Sequence, residues 1–212
     1  YYPGQIIETT RGCSVGCVFC GVQNFFGTRF RVRPPEAIKR ELMALFGPRP
    51  PQTRWKKWLA QHWHPDIPYF VERRLLYVMD SNFISDLGHA RAVLNVFKEC
   101  DLRWFGHASF NLMRDDKLVD LLADSGCLGV NIGFESLSQA NIDHMHKFPN
   151  KTAEYAECIK RLHEREIGVM GTFIVGFDED TPEVFDQIVD FVMENCLETA
   201  FTLILTPKPD TM

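Results

Sequence analysis

Residues 115–135 read DDKLVDLLADSGCLGVNIGFE, and this stretch indicates the fold class of the chain. In its first half, leucines follow Asp115 at helical spacing, and Gly126 then marks the end of the predicted helix. The apolar run over residues 128–135 then predicts a strand. A helix that leads directly into a strand is one repeat of an alternating α/β fold.

The same alternation extends in both directions along the chain. Apolar, β-branched runs predict strands at 5–10, 75–80, 104–110, 128–135, 169–175 and 201–206. Helical periodicity predicts helices at 35–46, 86–99, 115–125, 152–166 and 182–195. Thr181-Pro182-Glu183 supplies the N-cap and first turn of the last helix. Because a closed eight-stranded barrel takes about 250 residues, we predict a partial TIM-type (β/α)6 barrel of parallel strands, with a doubly wound sheet as the alternative.

Composition and charge narrow the class of protein. The 212 residues are 45% hydrophobic and 24% charged, and they contain no apolar run near the roughly 20 residues that cross a bilayer. A net charge of -5 gives no general attraction to nucleic acid. An odd number of cysteines, seven, argues against an oxidised secreted framework. We therefore expect a cytoplasmic protein with reduced thiols and with no nucleic acid or membrane partner.

The domain organisation has one irregular segment, at residues 47–72. It contains five prolines and three tryptophans, and proline at that density predicts a surface insertion without a long helix. The tryptophans either form a lid or docking surface or are buried in a self-packed loop. Residues 1–212 are predicted to form a single domain that carries this insertion. Because the chain starts at Tyr1 without a methionine, we expect an excerpt of a longer protein.

Residues 11–20, RGCSVGCVFC, are the strongest candidate for chemistry. Three thiolates on one short loop, Cys13, Cys17 and Cys20, can hold an iron–sulfur cluster and leave one iron without a protein ligand. Gly12 and Gly16 allow the backbone to bend around a bulky group. Zinc and a disulfide with a spare thiol are the alternatives, but no second Cys or His pair has zinc spacing. The loop follows the first strand, so it lies at the edge where parallel α/β proteins gather their active sites.

The spacing Cys13-x-x-x-Cys17-x-Phe19-Cys20 resembles the signature of the radical S-adenosylmethionine superfamily. Further similar motifs lie at or just after the predicted strand ends, at 79–83, 107–111, 133–136, 172–178 and 206–211. Their order and spacing resemble the catalytic cores that follow a cobalamin-binding domain. Asp210, which lies outside the residues that the structure describes, stands in the last motif where many relatives carry Gly.

The resemblance implies cofactors and a reaction. Cys13, Cys17 and Cys20 would ligate a [4Fe–4S] cluster, whose open iron would bind the amino and carboxylate groups of S-adenosylmethionine. Reductive cleavage would give methionine and a 5′-deoxyadenosyl radical that abstracts hydrogen from substrate. Methyl transfer or another C–H functionalisation would follow. A flavodoxin or ferredoxin would supply electrons, cobalamin would come from a domain outside this chain, and the substrate would be a small molecule or a peptide.

Cofactor-binding positions are carried over by the same resemblance. Phe19 would pack near adenine. Asp80 and Asn82 would accept from the methionine ammonium, or alternatively cap the next helix.

Three further strand ends complete the candidate site. Ser109 would line the cofactor side, with a strand-end cap as the alternative. Glu135 ends an apolar strand, where a carboxylate is costly to bury unless it is paired or faces a polar site, so we predict a cofactor contact. Ile174, Val175 and Gly176 would form a wall beside adenine through apolar side chains and a close backbone, with ordinary barrel core as the alternative. No residue is assigned as a catalytic acid or base.

Other function classes remain open from the sequence. The first alternative is an iron–sulfur electron-transfer or sensing module without catalysis, and the second is a zinc-stabilised binding domain. Four further cysteines, Cys100, Cys127, Cys158 and Cys196, are predicted to be core residues. No Asp-x-His-x-x-Gly motif of the cobalamin-binding type occurs in the chain.

Overall fold

The computed structural model describes residues 4–27, 29–49, 51–207 and 211. Within them the strands are β1 (Gln5–Ile7), β2 (Thr10–Arg11), β3 (Arg31–Val32), β4 (Leu75–Val78), β5 (Arg103–Ala108), β6 (Cys127–Glu135), β7 (Gly168–Val175) and β8 (Thr199–Ile204). The helices are α1 (Val22–Phe26), α2 (Pro35–Phe46), α3 (Arg54–His62), α4 (Ile67–Val71), α5 (Leu87–Cys100), α6 (Asp116–Asp124), α7 (Gln139–His144), α8 (Tyr155–His163) and α9 (Val184–Glu194). Short 3₁₀ turns lie at Phe110–Arg114 and Thr152–Glu154. No helix of this part of the chain is both long enough and apolar enough to cross a membrane.

Six strands form one sheet in the order β1-β4-β5-β6-β7-β8, and each neighbouring pair is parallel. Spatial order follows chain order, with helices in the connections, which confirms the predicted α/β alternation. The first strand is shorter than predicted, because the chain leaves the sheet after Ile7. Residues 10–11 instead pair with residues 31–32 in a small antiparallel ribbon, β2 and β3, that the sequence analysis missed.

Helix boundaries follow the capping signals in most places. Helix α2 spans the predicted residues, and α6 begins directly after Asp115, whose carboxylate accepts from Leu118 N at 3.2 Å. Gly126 ends the following turn with φ of 84°, a conformation that glycine adopts without steric cost. The predicted cap at Thr181-Pro182-Glu183 is wrong. These residues form a turn in which the Thr181 carbonyl accepts from Val184 N, and α9 begins at Val184.

The 47–72 insertion contains more helix than its prolines suggested. Helix α3 has nine residues and fits between the prolines, while Pro68 lies in the first turn of α4, where its missing N–H is tolerated. Trp55, Trp58 and Trp63 are 48%, 50% and 71% exposed. The alternative of a loop that buries its tryptophans is therefore wrong.

The hydrophobic core lies between the helices and one face of the sheet. Alternate strand residues such as Val78, Trp104 and Ile132 are buried against helix residues such as Phe97 and Leu122. The prediction of core placement holds for Cys100, Cys127 and Cys158, but it is wrong for Cys196, which is exposed after α9. The opposite face of the sheet is the inner face of the array, and most of its side chains are half-buried or exposed, with Ile174 buried near its carboxyl edge.

Candidate cofactor site

The cysteine loop lies at the carboxyl ends of the strands. It follows β2 and precedes α1, and its three thiols, Cys13, Cys17 and Cys20, line one cavity of about 440 Å³. Each of these cysteines is half-buried and free of a disulfide. The parallel sheet thus places the loop where βα connections converge, as the sequence predicted.

Two glycines and two backbone hydrogen bonds shape this loop. Gly12 and Gly16 have φ of 93° and 79°, in the region that β-carbon-bearing residues rarely adopt, as the sequence predicted. Cys20 N donates to the carbonyl of Cys17 at 3.1 Å, and Val18 N donates to the carbonyl of Met145 at 3.1 Å. The loop is therefore held in a turn and fastened to the end of α7.

The arrangement of donors fits a cluster better than a single ion. Four-coordinate zinc binds thiolates at about 2.3 Å, which brings its ligands within about 4 Å of each other. Among the described residues no group of three or more His, Cys, Asp or Glu side chains is arranged to hold one metal ion. Three thiolates on different irons need wider spacing, and the three cysteines share a cavity wide enough for a cluster.

Polar groups surround Cys13 on the side of β4. Asn82 Nδ2 lies 3.7 Å and Ser85 Oγ 3.9 Å from the Cys13 sulfur, within reach for donating to it. Asn82 Oδ1 and Ser109 Oγ are buried without a hydrogen-bond partner in the described part of the chain, and both residues line the cavity. Since buried polar atoms are nearly always paired, these two atoms fit a site for a polar ligand.

Asp80 does not line this cavity, in contrast to its predicted role. Its buried carboxylate accepts from Thr9 N at 2.6 Å, from Thr9 Oγ1 at 2.5 Å and from Thr10 N at 3.1 Å. The alternative role as a helix cap is also wrong for Asp80 and Asn82, because Asp86 caps α5 by accepting from His89 N. Asp80 instead ties the end of β4 to the chain that leads into the cysteine loop.

Glu135 reaches the cavity because β6 ends in an irregular turn. The register of β6 against β7 shifts between Gly133 and Glu135, and Glu135 has φ of 65°. Its carboxylate forms a buried ion pair with Lys147, whose ammonium also donates to the carbonyl of Gly133 at 2.8 Å. A β-carbon at position 133 would collide with the Glu135 carboxylate and the Lys147 ammonium, so a residue larger than glycine would make these two side-chain ends move.

Lys147 is a cavity residue that the sequence analysis missed. It follows α7 at a distance of 12 residues from Glu135, and no local pattern connects the two. Burial raises the pKa of the neighbouring Cys17 thiol to about 12, and the Lys147 ammonium opposes that shift. The lysine therefore favours the thiolate form that a metal ligand requires.

Phe19 connects the cysteine cavity to a second one of about 370 Å³, which is lined by the ends of β7 and α7. Ile174 packs in a small apolar cluster beside Phe19, with Met145 and Phe177. Val175 faces the other side of the sheet and belongs to the main core. Of the two predicted wall residues, Ile174 therefore presents its side chain beside Phe19, whereas the side chain of Val175 packs in the core, because neighbouring residues of a strand point to opposite faces.

The inner face of the sheet contributes polar residues that the sequence analysis also missed. His107, Asn131 and Thr172 lie on β5, β6 and β7 and line the floor of the cysteine cavity. Thr172 Oγ1 donates to Asn131 Oδ1 at 3.0 Å. Burial lowers the pKa of His107, which favours its neutral form. Strand alternation places all three on one face, and that signal was present in the sequence.

Comparisons of sequence identify relatives along nearly the whole chain. Residues 86–192, half of the chain, match the family described as the Radical SAM superfamily. The chain is 30% identical over 205 residues to the bacteriochlorophyllide d C-12(1)-methyltransferase of Chlorobaculum tepidum, covering 97% of this chain and 41% of that protein. It is 28% identical to the C-8(2)-methyltransferase of the same organism, over 97% of this chain and 42% of that protein. The chain thus spans about two fifths of the length of these relatives.

A solved structure has the same fold. The radical S-adenosylmethionine methyltransferase TsrM from Kitasatospora setae, with cobalamin and a [4Fe–4S] cluster bound, superposes with a TM-score of 0.75 at 20% identity. The match covers 98% of this chain and 38% of that one. This likeness confirms the partial TIM-type (β/α)6 barrel.

Proposed function

The chain belongs to the radical S-adenosylmethionine superfamily, and on that premise we propose that it is the core of a methyl-transferring enzyme that works with cobalamin. When bound, a [4Fe–4S] cluster would supply the electron for reductive cleavage of S-adenosylmethionine. The observation that carries the proposal is the shared cavity, which three thiols line together with two buried polar atoms, Asn82 Oδ1 and Ser109 Oγ, that have no hydrogen-bond partner among the described residues.

Each side of the cavity would have a separate task. Cys13, Cys17 and Cys20 would hold the cluster, and the donors from Asn82 and Ser85 would stabilise the Cys13 thiolate. Hydrogen bonds to a ligating sulfur are one of the means by which proteins tune a cluster.

The polar and apolar parts of S-adenosylmethionine would contact different walls. Asn82 Oδ1 can accept from an ammonium, and Ser109 Oγ can donate to a carboxylate. Phe19 and Ile174 would pack against adenine, because Phe19 lines both cavities and Ile174 lies in the cluster beside it. The Glu135–Lys147 pair keeps both charges neutralised at the cavity wall.

Methyl transfer and the use of cobalamin are supported by similar proteins. The two Chlorobaculum tepidum relatives are methyltransferases by name, and the methyltransferase TsrM, which has the same fold, contains bound cobalamin. In this proposal cobalamin would be held outside the present chain, a flavodoxin or ferredoxin would supply electrons, and the enzyme would work in the cytoplasm. Reduced iron–sulfur sites need a reducing compartment, which is consistent with free cysteines at the site.

Product analysis after anaerobic reconstitution tests the proposal. The chain is loaded with iron and sulfide, reduced with dithionite and incubated with S-adenosylmethionine. We expect 5′-deoxyadenosine to accumulate, and Cys17→Ser to abolish its formation. In the full-length protein with cobalamin and substrate, S-adenosylhomocysteine should form as well. A chain that takes up zinc but no cluster, or a loaded chain that leaves S-adenosylmethionine intact, would refute the proposal.

A further inference from the structure

A third cavity, called the lower cavity here, lies on the inner face of the sheet below the cysteine cavity. It has a volume of about 460 Å³ and is lined mainly by apolar side chains of β1, β4, β5 and β6. On β5, Phe105 lines this lower cavity and His107 lines the upper one, one inward-facing step apart. On β6, Leu128 lines the lower cavity and Asn131 the upper one, and Leu128 is the extra residue where the register of β6 shifts against β5. The two cavities therefore meet along the inner face of these strands.

The lower cavity has an apolar wall that no described residue covers. Tyr77 and Phe105 stack with ring centroids 5.4 Å apart and nearly parallel planes. Ile6 and Met79 line the same space and are 60% and 49% exposed. Apolar side chains that remain exposed side by side in a concave surface are typical of a ligand site.

The charged side chain that lines the lower cavity already has partners. Arg103 is the charged residue among its lining residues, and its guanidinium pairs with Asp66 and lies 4.0 Å from the centre of the Tyr69 ring. The Arg103 guanidinium therefore has its partners, Asp66 and Tyr69, in the 47–72 insertion. A ligand that depends on strong anion binding, such as a phosphate, would lack a free cation in this part of the cavity.

A chain of hydrogen bonds fixes the orientation of the Tyr77 hydroxyl, which is the polar group of the lower cavity. Thr172 Oγ1 donates to Asn131 Oδ1, so the Asn131 amide group faces His107 Nδ1, 3.5 Å away. This arrangement leaves the proton of the neutral imidazole on Nε2, which lies 2.9 Å from the Tyr77 hydroxyl. His107 then donates to Tyr77, and the hydroxyl proton of Tyr77 has no acceptor among the described residues.

We propose that this lower cavity binds the substrate, and that the substrate is a broad apolar molecule with a carbonyl or carboxylate oxygen that accepts from Tyr77. The inference rests on the proposed function, since it places the substrate next to the cysteine cavity. The apolar body contacts Tyr77, Phe105 and Leu128, and the polar floor of His107, Asn131 and Thr172 orients the Tyr77 donor. An occupant of this kind satisfies the free hydroxyl and covers the exposed apolar wall.

Binding of protoporphyrin IX, an apolar macrocycle with two carboxylates, tests the inference. Its fluorescence is titrated with the cluster-loaded chain and with two pairs of variants. Tyr77→Phe removes only the donor and should weaken binding about 3- to 10-fold. Tyr69→Phe makes the same chemical change outside the cavity and should leave the affinity unchanged. Met79→Asp places a charge on the half-exposed cavity wall and should weaken binding at least about tenfold, while Phe185→Asp on the outer surface should not.

The outcomes separate this inference from the proposed function. Formation of 5′-deoxyadenosine is measured in the same wild-type preparation without the porphyrin. If that activity is present but the porphyrin fails to bind, or binds equally to Tyr77→Phe and Met79→Asp, the substrate assignment is overturned. If the activity itself is absent, the proposed function fails, whatever the porphyrin does.

Discussion

Replacement of Asp80 by Asn should destabilise the chain through the loop that precedes the cysteines. The buried carboxylate accepts three hydrogen bonds, from Thr9 N, Thr9 Oγ1 and Thr10 N. Oδ1 accepts from both backbone N–H groups, and Oδ2 accepts from the Thr9 hydroxyl. Asparagine can keep its oxygen for the two N–H groups and turn its NH₂ group toward the Thr9 hydroxyl, which can accept as well as donate. The change then replaces charge-assisted hydrogen bonds, which contribute about 1.5 to 3 kcal/mol, by neutral ones that contribute about 1 kcal/mol. We therefore expect a loss of about 2 kcal/mol in the free energy of unfolding.

Urea denaturation of the cluster-free chain measures this loss by linear extrapolation. Thr9→Val is the matched variant, because it removes only the hydroxyl bond and should cost about 1 kcal/mol. Since both changes affect the same network, the double variant should lose less than the sum of the single losses. A free energy for Asp80→Asn within about 0.5 kcal/mol of wild type would refute the reasoning.

The same variant distinguishes two roles for Asp80. If it only ties β4 to the cysteine loop, the fraction of Asp80→Asn that folds and takes up the cluster should bind S-adenosylmethionine with wild-type affinity. If stability is unchanged but that affinity falls tenfold or more, Asp80 is a direct ligand of the methionine ammonium. That outcome would contradict the position we derive for its carboxylate.

The other predictions concern the cluster, the ion pair and the strand end. Cys17→Ser should remove the visible absorption of the cluster after anaerobic reconstitution, whereas Cys196→Ser, outside the cavity, should keep it. Equal absorption in the two variants would contradict the assignment of Cys17 as a cluster ligand. Lys147→Met leaves the Glu135 carboxylate buried and unpaired, so it should lower the free energy of unfolding, measured by urea denaturation, by about 3 to 5 kcal/mol. Neutralising Glu135 as well should recover part of this loss. Ile174→Ala should destabilise the chain and weaken S-adenosylmethionine binding about tenfold, while Val175→Ala should cost about 2 kcal/mol of stability alone. Equal affinities in calorimetric titration of these two variants would show that the cofactor does not contact Ile174.

Much of the fold could be predicted because its signals are local. Strand β6 and helix α2 match their predicted bounds closely, since apolar periodicity and glycine or proline signals lie within the segments themselves. Helices α1 and α7 were missed because five and six residues are too few to establish a helical period. The ribbon of β2 and β3 was missed because each strand has only two residues.

The site was less predictable because its contacts are long-range. The three cysteines were found through their spacing within one loop, but the partners of Asp80 are 70 and 71 residues away. The pairing of Glu135 with Lys147 depends on a register shift and a left-handed backbone conformation that no sequence pattern reports. By contrast, strand alternation alone assigns the side chains of Ile174 and Val175 to opposite faces of the sheet.

Electron paramagnetic resonance of the reduced, cluster-loaded chain tests whether the cysteine loop leaves one iron open. We expect the signal of a reduced [4Fe–4S] cluster, and we expect added S-adenosylmethionine to change this signal because one iron has no protein ligand. A cluster signal that S-adenosylmethionine leaves unchanged, or a chain that binds zinc in place of a cluster, would contradict this expectation.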